Sequence, residues 1–292
     1  MDTIRIDGKA LAKNVREEVG LAVAARKEKS LSTPGLATIL VGEDPASQVY
    51  VSSKQKNAEK LGIYSKGFNL PEDTSQEELL DLITKLNNDP KIHGILVQLP
   101  IPKHLDEVRL IEQISPRKDV DGLHPMNAGL LAQKGRTPML APATPSGVML
   151  MLERLEIPIE GANAVVLGRS NIVGIPIASL LLNANATVTI CHSRTRDLAQ
   201  ICSTADILVA AVGRLHMLGR DHVKEGAIVL DVGINRKDDG KLAGDVDFAA
   251  VRDKCSAITP VPGGVGPMTI AMLLSNTVDA YKRRTNVAAE NG

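Results

Sequence analysis

The sequence has 292 residues, of which 43% are hydrophobic, and its 34 basic residues balance 34 acidic ones. This length and apolar content allow one large domain or two ordinary domains with a substantial core. The balanced charge and the absence of a basic block argue against partners such as nucleic acid or an anionic membrane surface. The three cysteines and the histidines lack metal-ligand spacing, so we expect reduced thiols and no metal site.

The N-terminal segment lacks the apolar run of a signal peptide, and no segment approaches the length of a membrane span. We therefore expect a soluble, cytoplasmic protein.

The first strong pattern along the chain is an apolar run at residues 35–42, which is typical of a buried strand. Asp44 then offers an N-cap, Pro45 suits the first helical position, and Gly62 can end the helix between them. These signals predict a strand followed directly by a helix.

That helix carries an unusual lysine. At about 100° per residue, Lys54 shares the apolar sector with Tyr50 and Val51, whereas Gln55 and Lys56 fall on the opposite side. A cleft that binds a ligand would explain an ammonium group on the inner side of the helix. Tyr50 either stacks on a planar ligand or fills the core, and the sequence alone leaves both interpretations open.

A second buried strand is predicted within residues 92–102, and Gln98 lies near its end. Ligands bind beyond the carboxyl ends of parallel strands, so we expect Gln98 and Lys54 to meet there. The Pro-, Gly- and Thr-rich segment at residues 134–148 is the predicted crossing between two domains.

Four further strands follow between Asn163 and Gly233, separated by helical patterns. Alternating strands and helices predict an α/β protein with two αβ domains around a cleft. The C-terminal domain is predicted to be a Rossmann-like, doubly wound parallel sheet.

The segment NAVVLGRSNIVGIP predicts a strand, a turn and the start of a helix. Gly168 ends the strand, but Ser170 replaces the second glycine of a dinucleotide fingerprint, and Gly174 comes one position late. The match is therefore poor, although the Ser170 hydroxyl and the helix N-terminus both suit a phosphate. A plain tight turn is the alternative.

The next strand ends in Ser193 and Arg194 and lacks the carboxylate that an NAD-binding site uses for the ribose 2′-hydroxyl. A hydroxyl beside a guanidinium suits a 2′-phosphate, which favours NADP, unless Arg194 is an ordinary solvent-exposed arginine.

The motifs taken together resemble the bifunctional methylenetetrahydrofolate dehydrogenase/methenyltetrahydrofolate cyclohydrolase family. They run in family order from Tyr50 to Thr269: YVSSKQKNAEKLGI, HGILVQLPIP, KDVDGLHPMNAGLL, PATPSGV, VVLGRSNIVGIP, DVGIN, GDV and TPVPGGVGPMT. Family members often have a cysteine where Ala143 stands, so no role falls to a thiol there.

The resemblance implies an NADP-dependent oxidation of methylenetetrahydrofolate and hydrolysis of the product to 10-formyltetrahydrofolate, in one cleft of a homodimer. The catalytic groups would be Tyr50, Lys54, Gln98 and Asp121, which would also contact the folate. Further folate contacts would come from Leu99, Pro100, Pro262 and Gly263. The cofactor would bind to Gly168, Arg169, Ser170, Ser193 and Ile234. The folate-binding domain would comprise residues 1–140 and a C-terminal helix at about 268–292, and the NADP-binding domain residues 141–267.

The chemistry fits these residue types. Hydrolysis needs a base that takes a proton from water, and burial beside a substrate cation makes a lysine neutral enough to do so. We expect Lys54 to be that base, with Tyr50 and Gln98 aligning it and the water. The Asp121 carboxylate matches two adjacent donors on a pterin ring, although an Asp-Gly pair by itself usually marks only a turn.

Three rival functions remain at this point. The Tyr50/Lys54 pair also fits short-chain dehydrogenases, but there the pair follows the nucleotide fingerprint within one domain. A dehydrogenase with little cyclohydrolase activity is a closer rival, and a non-catalytic folate- or nucleotide-binding protein is the rival from another class.

Overall fold

The computed structural model describes residues 3–29 and 31–290. Helices and strands alternate along most of the chain. The helices are α1 (Gly8–Glu28), α2 (Pro45–Lys60), α3 (Gln76–Asn88), α4 (Glu107–Gln113), α5 (Pro125–Leu131), α6 (Ala143–Arg154), α7 (Gly174–Asn183), α8 (Leu198–Cys202), α9 (Phe248–Val251) and α10 (Val265–Glu290). The strands are β1 (Ile4–Arg5), β2 (Gly35–Val41), β3 (Tyr64–Leu70), β4 (Gly94–Val97), β5 (Asn163–Leu167), β6 (Thr187–Cys191), β7 (Ile207–Ala210), β8 (Ala227–Asp231), β9 (Asn235–Arg236), β10 (Leu242–Ala243) and β11 (Cys255–Ile258).

The chain divides into two compact units. Unit 1 contains Met1–Lys13, Leu131–Gly135 and Pro142–Met272, and unit 2 contains Asn14–Leu130, Arg136–Ala141 and Leu273–Gly292. The chain passes between the units twice within residues 134–148, the segment predicted as a crossing. The domain boundaries at 140/141 and 267/268 stay a prediction.

Unit 1 is built on a parallel sheet with the strand order β1-β11-β8-β7-β5-β6. β5 lies between β6 and β7, so the chain winds outward from β5 in both directions, which is the doubly wound arrangement predicted from the sequence. The initial strand β1 completes one edge by pairing with β11. Ligands of such sheets bind outside the carboxyl ends of the strands at the point of reversal, here beyond β5.

Unit 2 is built on a parallel sheet with the order β3-β2-β4. Every residue of the central strand β2 is buried, as its continuous apolar run predicts. Its core is formed by apolar side chains of β2 and β4 packed against α3 and α4. The carboxyl ends of β2 and β4 therefore point to the same edge of the sheet.

The helix α2 follows β2 at that edge, and local interactions fix where it begins. The side chain of Asp44 accepts a hydrogen bond from the Ser47 amide at 2.7 Å, and Pro45 occupies the first helical position. Gly62 follows the helix at a φ of +77°, a conformation that ends helices and favours glycine. The start and the end of α2 predicted from sequence are thus confirmed.

Candidate active site and nucleotide-binding cavity

Lys54 is turned into unit 2, as the helical periodicity predicts. The residue is only 6% exposed, and its Nζ donates a hydrogen bond to Oε1 of Gln98 at 2.9 Å. α2 supplies the lysine and the end of β4 supplies the amide, so the two residues expected to meet do so. This contact is the centre of the candidate active site.

The orientation of the Gln98 amide follows from its neighbours. Its Nε2 donates to the carbonyl of Leu99 at 2.6 Å, which requires Oε1 to face Lys54. A neutral lysine amine has two hydrogens and one lone pair. Because one hydrogen is directed at Gln98, the lone pair of the neutral amine is directed away from the amide and is free to accept a proton.

Asp121 and Lys54 influence each other electrostatically. Burial lowers the pKa of Lys54, and the nearby Asp121 carboxylate partly opposes that shift. Burial likewise raises the pKa of Asp121, and the Lys54 charge opposes it. The protonation of Lys54 therefore depends on whether the charge of Asp121 remains available to it.

The loop that carries Asp121 is organised by Asp119, which is buried. The Asp119 carboxylate accepts hydrogen bonds from the amides of Gly122 and His124 and from Nδ2 of Asn127, at 2.7–3.1 Å. Asp119 thus has a structural role in this turn, and it fixes the backbone that follows Asp121.

The exposure of Tyr50 excludes one of the two interpretations made from the sequence, that its ring fills the core. Tyr50 is 41% exposed, so only stacking on a ligand remains of those two interpretations. Gln55 also departs from expectation. Instead of facing only water, its Nε2 donates to the buried Thr38 hydroxyl at 2.7 Å. The inner face of α2 is rotated toward Gln55 and away from Tyr50.

The turn after β5 depends on two glycines. Gly168 has a φ of +128°, and a Cβ there would collide with the backbone of Ala211. A Cβ on Gly174 would collide with the backbone of Gly168. The strand, the turn and the start of α7 therefore pack too closely for any side chain at these positions.

Ser170 stands in place of a fingerprint glycine and contacts the backbone at the start of α7. Its Oγ accepts hydrogen bonds from the amides of Val173 at 3.1 Å and Gly174 at 3.4 Å. The hydroxyl hydrogen is then directed away from those amides, where it can donate to a phosphate at the helix N-terminus. The departure from the glycine pattern is consistent with anion binding.

A cavity of about 300 Å³ lies beyond the carboxyl ends of β5, β6 and β7. It brings together four of the five residues expected to bind the cofactor: Gly168, Arg169, Ser170 and Ser193. Among the described residues, its lining includes no acidic side chain and does not include Arg194. Guanidinium groups, hydroxyls and a glycine turn form a donor set that fits the phosphates of a dinucleotide.

The other residues that line this cavity were not predicted as site residues from the sequence, namely Leu167, His192, Ala211, Val212, Arg214 and Met217. The loop after β7 contributes Arg214, and no motif in the sequence singles it out. The only available signal was the position of the loop, since the residue after a strand adjoining the point of reversal lies at the ligand edge.

The remaining candidates lie on other loops of unit 1. Ile234 follows β8 and is 45% exposed, but it does not line the cavity described above. Pro262 is exposed, and Gly263 has a φ of +103° with the Lys9 stem beside it. By the division of the chain given above, Pro262 and Gly263 belong to unit 1, whereas Tyr50, Lys54 and Gln98 belong to unit 2.

The two residues that follow Gln98 are the last candidates. Leu99 is half-buried and Pro100 is exposed.

Within the described residues, no His, Cys, Asp or Glu side chains are grouped in threes where they could hold a metal ion. The same part of the chain contains no helix that is long and apolar enough to cross a membrane.

Comparison with known proteins gives the same picture over nearly the whole chain. Residues 6–121 match the catalytic domain of tetrahydrofolate dehydrogenase/cyclohydrolase, and residues 142–285 match its NAD(P)-binding domain. The "Bifunctional protein FolD" of Magnetococcus marinus is 58% identical over 283 residues, which cover 97% of this chain and 99% of that protein.

Two solved structures are similar throughout. The bifunctional FolD methylenetetrahydrofolate dehydrogenase/cyclohydrolase of Campylobacter jejuni has a TM-score of 0.93 at 51% identity, covering 97% of this chain and 99% of that one. The Trypanosoma brucei N5,N10-methylenetetrahydrofolate dehydrogenase-cyclohydrolase, complexed with NADP cofactor and inhibitor, also has a TM-score of 0.93, at 41% identity, covering 98% and 99%. The chain therefore belongs to the tetrahydrofolate dehydrogenase/cyclohydrolase family.

Proposed function

We propose that this chain oxidises 5,10-methylenetetrahydrofolate to 5,10-methenyltetrahydrofolate with NADP and then hydrolyses the product to 10-formyltetrahydrofolate. The observation that carries the hydrolytic half is the contact of Lys54 with Gln98, in which a buried amine is fixed by an amide that only accepts from it. The dehydrogenase half is supported by family membership and by the cationic, glycine-lined cavity beyond β5.

Bound NADP supplies the hydride acceptor for the first reaction. The oxidation leaves a positive charge shared between two folate nitrogens, so the protein need not provide a group to balance it. Its contribution is alignment of the folate. Gln98 is hydrogen-bonded to Lys54, Asp121 acts on Lys54 electrostatically, and Leu99 and Pro100 directly follow Gln98 in the chain. The exposed ring of Tyr50 is the stacking surface in this proposal.

Lys54 acts in the second reaction. A water oxygen bonds to the methenyl carbon while one water proton passes to the neutral amine of Lys54. The bond from that carbon to N5 then breaks as the new hydroxyl becomes the formyl carbonyl and releases its proton to solvent, and N5 takes up the proton held by Lys54. The substrate makes the amine more available. Docking of pterin donors on Asp121 reduces the charge that supports the ammonium form, and the methenyl cation repels it.

An assay that follows two absorbances distinguishes this function from the alternatives of a dehydrogenase with little cyclohydrolase activity and a binding protein. Protein, methylenetetrahydrofolate and NADP are mixed, and the absorbances of reduced nicotinamide and of methenyl product are followed together. The proposed enzyme forms reduced nicotinamide while methenyl product disappears faster than its spontaneous decay. A dehydrogenase with little cyclohydrolase activity would let the product persist, and a binding protein would give neither signal.

A homodimer and a cytoplasmic location stay predictions. Light scattering of the purified protein measures the first directly, with an expected mass of about twice that of the chain.

A further inference from the structure

The cavity beyond β5 has two guanidinium groups from different loops. Arg169 follows β5 and Arg214 follows β7, and both line the cavity with Ser193 at the end of β6. The part of the lining described here contains no carboxylate to neutralise them. Two cations and a hydroxyl match a group with about two negative charges, such as a phosphate monoester.

The position of Arg214 is fixed by a carboxylate deep in unit 1. Asp245 is fully buried, and its Oδ2 accepts hydrogen bonds from the amides of Val212 at 2.7 Å and Gly213 at 3.0 Å. Its Oδ1 accepts from the amide of Arg214 at 2.7 Å and from Nδ2 of Asn235 at 2.9 Å. Three successive amides thus converge on one carboxylate.

This convergence requires a tight turn, and Gly213 provides it with a φ of +64°. Successive amides in such a turn form an anion-binding concavity. In this protein the concavity is filled by the side chain of Asp245. The concavity therefore holds the loop in place and is not a ligand site. These hydrogen bonds fix the position of the Arg214 backbone, and so the point from which its side chain extends.

The location in the sheet indicates which phosphate Arg214 meets. In doubly wound sheets the pyrophosphate lies at the first helix N-terminus, here beside Ser170, and the ribose 2′ position lies at the end of the next strand, here beside Ser193. Arg214 shares its cavity with Ser193, whereas Arg194 is absent from the lining.

We propose that Arg214 binds the 2′-phosphate of NADP and is a specificity-determining residue, and that Asp245 is the positioning residue that holds it there. The proposal rests on the cofactor assignment made under Proposed function and adds Arg214 to the residues that distinguish NADP from NAD.

The test is nucleotide binding without folate. Calorimetry compares 2′,5′-ADP, which carries the 2′-phosphate, with 5′-ADP, which lacks it, for the unmodified protein and for Arg214→Gln. Loss of one charge-assisted contact should weaken 2′,5′-ADP binding by about tenfold or more and leave 5′-ADP within about twofold. Lys241→Gln removes one positive charge from an exposed side chain outside the cavity and should leave the affinities for both nucleotides unchanged.

Arg194→Gln tests the alternative from the sequence analysis, in which Arg194 binds the 2′-phosphate. If this change weakens 2′,5′-ADP binding as much as Arg214→Gln does, or if Arg214→Gln weakens both nucleotides equally, the proposal is overturned. Because the assay contains no folate, its result is independent of whether the protein oxidises or hydrolyses folates.

A double variant tests the positioning role. Asp245→Asn places an amide donor against backbone donors and should loosen the loop, again with a selective loss of 2′,5′-ADP affinity. If Asp245 acts through Arg214, the double variant Asp245→Asn/Arg214→Gln binds 2′,5′-ADP no worse than Arg214→Gln alone. Additive losses, or an equal loss for 5′-ADP, would mean that Asp245 serves only the fold, and Arg214→Gln still tests the specificity role if Asp245→Asn fails to fold.

Discussion

At the level of single residues, the proposed hydrolysis requires Lys54 to be both buried and ready to accept a proton. Gln98 meets half of that requirement, because its amide oxygen accepts one hydrogen from Lys54 whether the amine is charged or neutral. Asp121 meets the other half, because its charge supports the ammonium form until a ligand engages it. In this proposal, Asp121 favours the ammonium form of Lys54 in the free protein, and ligand binding favours the neutral amine, which can accept a proton.

Replacing Lys54 separates the two activities. We expect Lys54→Met to abolish hydrolysis of methenyltetrahydrofolate and to leave folate binding and some hydride transfer. Lys54→Arg keeps the charge but cannot release its proton at neutral pH, so it should also abolish hydrolysis. Stopped-flow absorbance of methenyl decay, corrected for the spontaneous rate, measures both. Decay within a few-fold of the unmodified protein in either variant would refute Lys54 as the base.

The cofactor residues predicted from the sequence carry a second expectation. Arg169→Ala and Ser193→Ala should raise KM for NADP more than KM for NAD, because both residues line the cavity beside the expected 2′-phosphate. Steady-state kinetics with each cofactor at saturating folate provides the comparison. An equal rise for NAD would place the two side chains against a part of the cofactor that NAD shares.

At the level of elements, close packing of the backbone requires glycine in the turn between β5 and α7. A Cβ on Gly174 would meet the backbone of Gly168, whereas a Cβ on Gly129 in α5 would meet nothing within 4 Å. We expect Gly174→Ala to destabilise the protein by about 1–3 kcal/mol through overpacking and to weaken NADP binding. Gly129→Ala, the matched helical control, should be neutral or stabilising by up to about 1 kcal/mol.

Chemical denaturation with and without NADP checks this pair of variants. If Gly174→Ala were as stable as Gly129→Ala and bound NADP normally, the close packing of turn and helix would not be what requires glycine there.

The elements also show what the sequence predicts well and what it does not. β2 and α2 were predicted because a continuous apolar run, an N-cap and a terminal glycine are local signals. β3 was not predicted, since its sequence YSKGFNL is partly polar and the strand lies exposed at the edge of its sheet. Tyr50 was placed on the inner side of α2 because periodicity gives a sector and cannot fix which edge of that sector is buried.

The same limit applies to the candidate site. Lys54 and Gln98 were predicted to meet because both follow from strand and helix positions along the chain. Arg214 and Asp245 were not, because their roles depend on a hydrogen-bonded turn between loops more than thirty residues apart in sequence. Local patterns carry no information about such a contact.

At the level of the whole molecule, each unit contains a buried group whose charge costs stability, and the two respond to pH in opposite directions. In unit 2, burial is the main cause that lowers the pKa of His93 to about 4, from an ordinary value of 6.5. Its Nδ1 accepts a hydrogen bond from the Gly35 amide at 3.0 Å, which requires an unprotonated nitrogen at that position. The unfolded chain binds the proton more readily than the folded unit between these two pH values.

Unit 2 should therefore lose stability as the pH falls from about 6.5 to about 4, by about 3 kcal/mol from this residue. His93→Asn retains an acceptor for the Gly35 amide but does not titrate, so its free energy of unfolding should vary less with pH over that range. Urea unfolding at several pH values measures the two slopes. Equal slopes for the variant and the unmodified protein would show that His93 does not titrate on unfolding.

In unit 1, burial is the main cause that raises the pKa of Asp231 to about 7, although amides of Gly233, Asp245 and Val246 donate to its carboxylate. The folded unit then holds a proton that the unfolded chain releases between pH 4 and 7. Unit 1 should consequently lose stability as the pH rises through that range, opposite to unit 2.

Asp231→Asn should flatten this dependence while lowering stability at every pH, because its amide places a donor against backbone donors. Thermal unfolding from pH 5 to 8 provides the measurement. A variant whose melting temperature falls with rising pH as steeply as that of the unmodified protein would exclude Asp231 as the titrating group. If both expectations hold, a fall in pH selectively weakens the unit with Lys54, and a rise in pH selectively weakens the unit with the nucleotide cavity.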